Sequence, residues 1–519
     1  MFEQYKIFQT NGGNIYLYDT PTNSIHSWNP PLTSEFTSKL YSVADRDLRN
    51  LVYSINDRTE YKEQLLFYLQ LWRMKSKAFR NPEQPSHLFF SKFEDIPNEK
   101  KGPVWMSDLV LIVSEACNLR CDYCTYTASY PGYRSHSKHF MTLEVAIKAI
   151  DKFFSYNNEH SFRGYSDRNI NIVFYGGEPL LNFDIIQKTI LYSEMVRKEH
   201  YGVVFSVSTN LTLLKDEYLS FFRDHNVYLN VSFDGPSQEH DRYRHFNNGK
   251  PTYQTVLDNL KRIHNFDKEF YFNKVRLLPT LNGNSDAIVI YDFFKKMEHD
   301  LPPFLMVNFL KNLSFSNFHK VHKYDKNIFA KRIQNVINSY IEQKLDGRNF
   351  LKGDFLYHFI EVPLINIFYR IQTYGNSLST WFTGTCLPGR KLAVSPDGTF
   401  HICERINEHF PIGDVEMGLD KKKLLNVVNL YFESIPRCNL CWARNLCTIC
   451  YATVCDKGFF NFDKHCKFTQ EQAQANISLL FSILEKRRDA FISDDYLISP
   501  CVNAEKNNDI NNFIEKKVD

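Results

Sequence analysis

The sequence predicts an α/β fold: a sheet of six parallel strands with crossover helices, a small winged-helix-like module before it and a cysteine-rich region after it. Three observations predict this. Six apolar, β-rich runs alternate with helical periodicity between residues 105 and 312. A strand pair followed by helices fills residues 1–100. Eight of the twelve cysteines crowd between Cys386 and Cys466. A chain of 519 residues exceeds what one hydrophobic core serves, so several folded units are expected.

In the first unit, NGGNIYLYDTPTNSIHSWN reads as two short strands around a turn at Asp19-Thr20-Pro21-Thr22-Asn23, and RDLRNLVYSI and EQLLFYLQLW carry helical spacing. The six strands that follow are read at 108–114, 170–177, 203–210, 227–233, 275–281 and 304–310. Helices at 142–154 and 183–200 lie between them, so the strands pair in parallel through right-handed crossovers. Ligands of such folds gather at the carboxyl ends of strands. Residues 313–380 form a helix-rich bridge, including NIFAKRIQNVINSYIEQKL. Residues 381–490 hold the cysteine-rich unit and a closing helix at 469–489, and 491–519 form a polar tail.

The formal charge of +3, from 62 basic and 59 acidic residues, gives no support for nucleic-acid or membrane-surface binding. The start MFEQYKIFQT lacks the apolar core of a signal peptide, and no apolar run reaches about 18 residues. A cytoplasmic location is expected, where clustered cysteines are reduced thiols and read as metal ligands rather than disulfides.

The stretch SEACNLRCDYC, whose Cys117 comes three residues after the first strand, places Cys117, Cys121 and Cys124 in C-x3-C-x2-C with no fourth Cys or His nearby. Three thiolates on a [4Fe–4S] cluster leave one iron open to a small molecule. At this point the sequence resembles the radical S-adenosylmethionine superfamily, and further motifs extend the resemblance. Gly176-Gly177-Glu178-Pro179 matches the segment that contacts the cofactor's amino group in that family. Ser208-Thr209-Asn210 ends the third strand where relatives have Thr-Asn-Gly, with Leu211 in place of the glycine. Ser232-Phe233-Asp234-Gly235-Pro236 with His240-Asp241-Arg242-Tyr243-Arg244 resembles the signature of peptide- and protein-modifying members. The resemblance implies a partial (β/α)6 TIM-like barrel over 105–312, with Gly176, Gly177, Glu178, Ser208, Asn210, Ser232 and Arg244 around S-adenosylmethionine and Tyr123 by the adenine. It also implies a 5′-deoxyadenosyl radical that removes hydrogen from a substrate, and an electron donor such as flavodoxin or ferredoxin.

The later cysteines look like a SPASM domain with two auxiliary [4Fe–4S] clusters, three clusters in all. Family order implies Cys386, Cys403 and Cys450 for the nearer cluster and Cys438, Cys441, Cys447 and Cys466 for the farther one. Cys447-x2-Cys450 is one residue shorter than the common spacing, and Cys455 is extra: it either completes the nearer cluster or stands by. A zinc site is the competing reading for 438–455. The favoured function is maturation of a ribosomally synthesised precursor peptide by an oxidative crosslink, its leader held by residues 1–100 through strand addition. The alternative is an anaerobic sulfatase-type maturase that oxidises a Cys or Ser to formylglycine, with Glu404 after Cys403 as candidate base; an ion pair with Arg405 is its competing role. A bare iron–sulfur electron carrier would leave the motifs around Gly176, Ser232 and His240 unexplained.

Overall fold

The computed structural model describes residues 5–20, 23–27, 106–127, 130, 134–158, 169–197, 202–310, 317–350, 353–369, 389–406, 408–435, 438, 441–456 and 458–492. The two helices expected in the N-terminal unit, Cys386, Cys501 and the polar tail from residue 493 lie outside these residues.

Strands β1 (Tyr5–Gln9), β2 (Ile15–Asp19) and β3 (Ser24–Ser27) form an antiparallel meander. The β2–β3 hairpin is the one expected from sequence; β1 is an additional strand. It joins β2 through a turn in which Gly13 takes φ +87°, a conformation costly for any residue with a Cβ.

The expected six parallel strands are present, in spatial order β10-β8-β7-β6-β5-β4. They are β4 (Asp108–Ser114), β5 (Ile170–Gly176), β6 (Val203–Thr209), β7 (Tyr228–Val231), β8 (Val275–Leu277) and β10 (Phe304–Leu305). The last two runs are each broken. Pro279, with no N–H to give a ladder, separates β8 from β9 (Thr280–Leu281), and β9 pairs in parallel with β11 (Asn308–Phe309) as a second small sheet. Leu109 to Ser114 are all buried, as a parallel strand covered on both faces requires. The barrel's helices are α1 (Leu143–Asn158), α2 (Phe183–Val196), α3 (Asp216–Asp224), α4 (Tyr253–Phe266), α5 (Lys268–Lys274) and α6 (Ala287–Lys296). Asp267 and Asp286 cap α5 and α6 by accepting from backbone N–H groups.

In the bridge, α7 (Lys326–Leu345) runs to α8 (Val362–Phe368) by way of a π-helical turn, Tyr357–Glu361. Past it the chain returns to the barrel. Strand β12 (Lys391–Val394) lies parallel to β4, and β13 (Thr399–His401), β14 (Pro411–Asp414) and β15 (Gly418–Leu419) continue antiparallel, making one ten-stranded sheet. Helix α9 (Lys421–Glu433), the short pair β16 (Cys455–Asp456) and β17 (Phe459–Phe460), and α10 (Asp463–Leu484) complete the described chain. Helix α10 starts six residues earlier than the expected 469, so Cys466 falls in its first turn. The N-terminal meander packs on α10: Phe8 and Tyr16 stack at 5.6 Å and both meet Phe481, and the Asn11 N–H donates to Ser482.

Lys344 and Glu361 form an ion pair of 2.6 Å with both side chains fully buried, and the Tyr340 hydroxyl also donates to Glu361. Removing one partner strands the other charge in the core. Lys344→Met alone is expected to lower unfolding free energy by about 3–5 kcal/mol, whereas Lys344→Met with Glu361→Gln recovers most of that loss. Denaturant titration of the two variants checks this.

Candidate active site

The carboxyl ends of β4, β5, β6 and β7 carry the sequence motifs, and their loops are tied to one another by short polar contacts. The loop after β4 holds Cys117, Cys121 and Cys124. Gly176 and Gly177 sit directly beneath it. A Cβ on Gly176 would come within 2.1 Å of the Ser114 carbonyl, and one on Gly177 within 2.4 Å of the Ala116 carbonyl. The two glycines therefore let the ends of β4 and β5 touch, with Gly177 N–H donating to Ser114 O (2.7 Å) and Glu178 N–H to Ala116 O (2.9 Å). The two glycines permit this close backbone approach.

Glu178 is fully buried and accepts from Leu180 N–H (3.0 Å), the Thr209 hydroxyl (2.7 Å) and Asn210 N–H (2.8 Å), so it fastens β5 to β6. Burial pushes its pKa up to about 7 against those three donors. Asn210 reaches back to the cysteine loop, donating to Asn118 Oδ1 at 3.0 Å and approaching the Cys117 sulfur at 3.8 Å. Leu211, where relatives carry glycine, takes φ +61° and is fully buried, its carbonyl accepting from Asn259. Ser208 and Ser232 are half-buried at the ends of β6 and β7.

Asp234 is a hub that the sequence reading quoted but did not single out. It binds Arg244 through Nε at 2.7 Å and Nη2 at 3.3 Å, accepts from the Tyr123 hydroxyl at 2.6 Å and from Thr280 N–H at 2.8 Å. Tyr123 and Arg244 are thus both brought to this corner, the guanidinium 5.2 Å from the Tyr123 ring, and Tyr123 packs with Tyr243 and Phe318. The residues on either side of Arg244 grip the cysteine loop: Arg120 N–H donates to His245 O and Asp122 N–H to Tyr243 O.

The three thiols fit an iron–sulfur cluster. Cys117 and Cys124 accept backbone N–H groups from Leu119 (3.3 Å) and Tyr126 (3.4 Å), the pattern of donors that supports a cluster thiolate. Burial pushes Cys117 and Cys121 up to about 12, so a cationic centre is what would hold them as thiolates. Among the described residues, no three His, Cys, Asp or Glu side chains converge tightly enough for a single metal ion.

In the C-terminal unit, Cys438 lies near Cys447, Cys466 and Cys441, the four residues expected together, and burial pushes its thiol up to about 12. Gln470 donates to the Cys441 sulfur at 3.2 Å. Cys403 is buried beside Cys450, and Cys455 is fully buried at the start of β16. Tyr175, at the end of β5, feels Arg405, Glu404 and Cys403 as well as Cys124, which sets it between the first cysteine loop and the second cysteine set. Glu404 pairs with Lys391 at 3.2 Å and Arg405 at 3.5 Å; Lys391 is the closer partner and was not anticipated. Although burial opposes ionisation, these cations hold the carboxyl below its usual range.

The left-handed Leu211 trades backbone strain against a buried side chain. Leu211→Gly relieves the strain but opens a cavity, and the protein is expected to lose about 1–3 kcal/mol, read as a lowered Tm. His240 is buried, its Nδ1 accepting from Asp234 N–H at 3.2 Å, which requires the neutral ring; its pKa is lowered to about 4, chiefly by burial. A base depressed in the fold takes up more protons when unfolded. Stability is therefore lost as pH falls from about 6.5 toward 4, and His240→Asn flattens that slope in denaturation midpoints measured across the window.

Residues 111–287 match the Radical SAM superfamily. The chain is 25% identical over 316 residues, 60% of its length and 77% of the relative's, to a cysteine-type anaerobic sulfatase-maturating enzyme of Clostridium novyi. It is 22% identical over 357 residues, 66% of its length and 67% of the relative's, to the radical SAM cyclopropyl synthase TigE of Paramaledivibacter caminithermalis. Its fold is similar to that of native anSMEcpe with bound AdoMet, with a TM-score of 0.54 at 18% identity over 74% of this chain and 100% of that one. Among the described residues, no helix is long and apolar enough to cross a membrane. The three-cysteine loop and the strand-end motifs around it all lie within the matched region, so residues 111–287 form a radical SAM domain, whose cofactors are a [4Fe–4S] cluster and S-adenosylmethionine.

Proposed function

We propose that the protein is a radical SAM maturase of a ribosomally made peptide, installing an oxidative crosslink on a segment whose leader adds as a strand to the N-terminal meander. The observation that carries this reading is the meander itself. It has outer strands, β1 and β3, on either side of β2, and it is fastened to the cysteine-rich unit: the Thr20 hydroxyl donates to Trp442 O and Asn445 donates to Thr20 O at 2.7 Å, between Cys441 and Cys447. A strand edge offers main-chain hydrogen bonds to an extended peptide.

When bound, the cluster and S-adenosylmethionine supply a hydrogen-abstracting radical. The chain's own residues bind and orient. Cys117, Cys121 and Cys124 would ligate the first cluster, with Asn210 fixing their loop. Gly176, Gly177, Glu178, Ser208 and Ser232 would line the amino and carboxylate end of the cofactor. Arg244, oriented by Asp234, would present its remaining N–H groups to the carboxylate or ribose, and Tyr123 would sit by the adenine. Cys386, Cys403 and Cys450, with or without Cys455, and Cys438, Cys441, Cys447 and Cys466 would hold two auxiliary clusters.

One observation favours a second reading, formylglycine formation on a protein Cys or Ser. The relative from Clostridium novyi carries that kind of name, and Glu404 follows Cys403 directly in the sequence. The pairing with Lys391 and Arg405 makes Glu404 a weaker base than a free carboxylate.

Anaerobic reconstitution of the full chain is expected to give about twelve irons and 5′-deoxyadenosine after reduction, and Cys121→Ala about eight irons and none of the nucleoside. A neighbouring-gene peptide recovered lighter by about two hydrogens and inert to a hydrazide supports the crosslink. A hydrazide-reactive aldehyde on a sulfatase-derived Cys or Ser peptide, lost roughly 10²–10⁴-fold in Glu404→Gln, would favour the second reading instead. Iron without any 5′-deoxyadenosine overturns both.

A further inference from the structure

Between Cys124 and the β13 strand lies a group of buried polar atoms that none of the contacts above uses. Arg134 is 4% exposed. Its Nη1 makes one long contact, 3.4 Å, to Glu408, whose side chain is 55% exposed, while among the described residues Nε and Nη2 have no hydrogen-bond partner. These two nitrogens form one edge of the guanidinium, the edge that takes both oxygens of a carboxylate side by side. A buried cation whose single anion stands in solvent is poorly neutralised, so the site favours a second negative charge over a neutral oxygen. The neighbouring groups agree. Tyr126, 4% exposed, has a hydroxyl with no partner, and the Arg134 charge acts on it. The same charge acts on His401, 2% exposed, whose Nδ1 is also unpartnered. Its Nε2 lies 2.8 Å from the Ser395 hydroxyl, which itself donates to Thr399 O. In the tautomer with the proton on Nε2, which Ser395 accepts while donating to Thr399 O, Nδ1 is an acceptor suited to a peptide N–H.

We infer that Arg134, with the Tyr126 hydroxyl beside it, is a buried receptor for a carboxylate of the substrate, positioning it between the first cysteine loop and the cysteine-rich unit. This rests on the reading of the chain as a peptide- or protein-modifying enzyme and adds a specificity element to it. The carboxylate is either an Asp or Glu side chain near the modified residue or the peptide's own carboxyl terminus. Both present the same two oxygens.

The test is affinity selection on the reconstituted full-length enzyme with S-adenosylmethionine, using a library of Cys- and Ser-centred octapeptides made once with free and once with amidated carboxyl termini. Bound peptides are identified by mass spectrometry for wild type, Arg134→Gln and Arg134→Lys. Wild type is expected to enrich Asp or Glu at a fixed position if a side chain is read, or the free-terminus library if the terminus is read. Arg134→Gln is expected to lose that enrichment at least about tenfold, the loss of one charge-assisted pair. Arg134→Lys is expected to keep part of it. No acidic or free-terminus enrichment by wild type, or the same enrichment in Arg134→Gln, overturns the inference. Loss of S-adenosylmethionine binding in Arg134→Gln, with peptide selection unchanged, also overturns it by assigning the residue to the cofactor. Iron content and uncoupled 5′-deoxyadenosine, measured on the same preparations, report on the radical SAM reading separately: their absence sinks that reading whatever the selection shows.

Discussion

The contact on which the rest depends is the meeting of β4 and β5 at Gly176 and Gly177. Two carbonyls of the cysteine loop lie where side-chain carbons would otherwise stand. Once that approach is made, Glu178 is buried and accepts from three protein donors, two of them at the end of β6. The loop bearing the three cysteines is thereby held from below by backbone hydrogen bonds and from the side by Asn210. A side chain at either glycine would lift the loop and break the chain of contacts at its first link, whatever its chemical nature.

A second centre, Asp234, performs the matching task on the other flank. One carboxylate there satisfies a buried guanidinium, a buried phenol and a backbone N–H of β9. Neutralising Arg244 inside the protein lets a strong cation stand near the cofactor region without remaining unpaired in a poorly polarisable interior. The two centres join through the loop itself, since Arg120 and Asp122 donate to the segment that carries Tyr243 and His245.

Much of this was legible because the chemistry is local in sequence. The six strands follow from apolar runs, and Cys117, Cys121 and Cys124 from their spacing. What was not legible depends on partners far along the chain. Pro279 breaking the β8 run could have been read from its missing N–H, but the pairing of β12 with β4 joins residues nearly three hundred positions apart and leaves no periodic trace. Asp234 stood inside a quoted motif, yet its role as a hub requires Tyr123, Arg244 and Thr280 to converge. Glu404 shows the same limit: its adjacent Arg405 was visible, whereas Lys391, the nearer cation, arrives from the neighbouring strand. The substitution at Leu211 was noticed as a departure, and its left-handed backbone gives that departure a physical content.

The ladder between β4 and β12 has an evolutionary consequence. The cysteine-rich unit is not a bead on a string, because its first strand covers the flank of the barrel strand that leads into the three-cysteine loop. A lineage that discarded this unit would bare a row of unpaired N–H and C=O groups along β4, a template for self-association beside an oxygen-sensitive centre. The barrel and the cysteine-rich unit thus share one sheet, and removing the unit would leave that edge of β4 to be covered in another way.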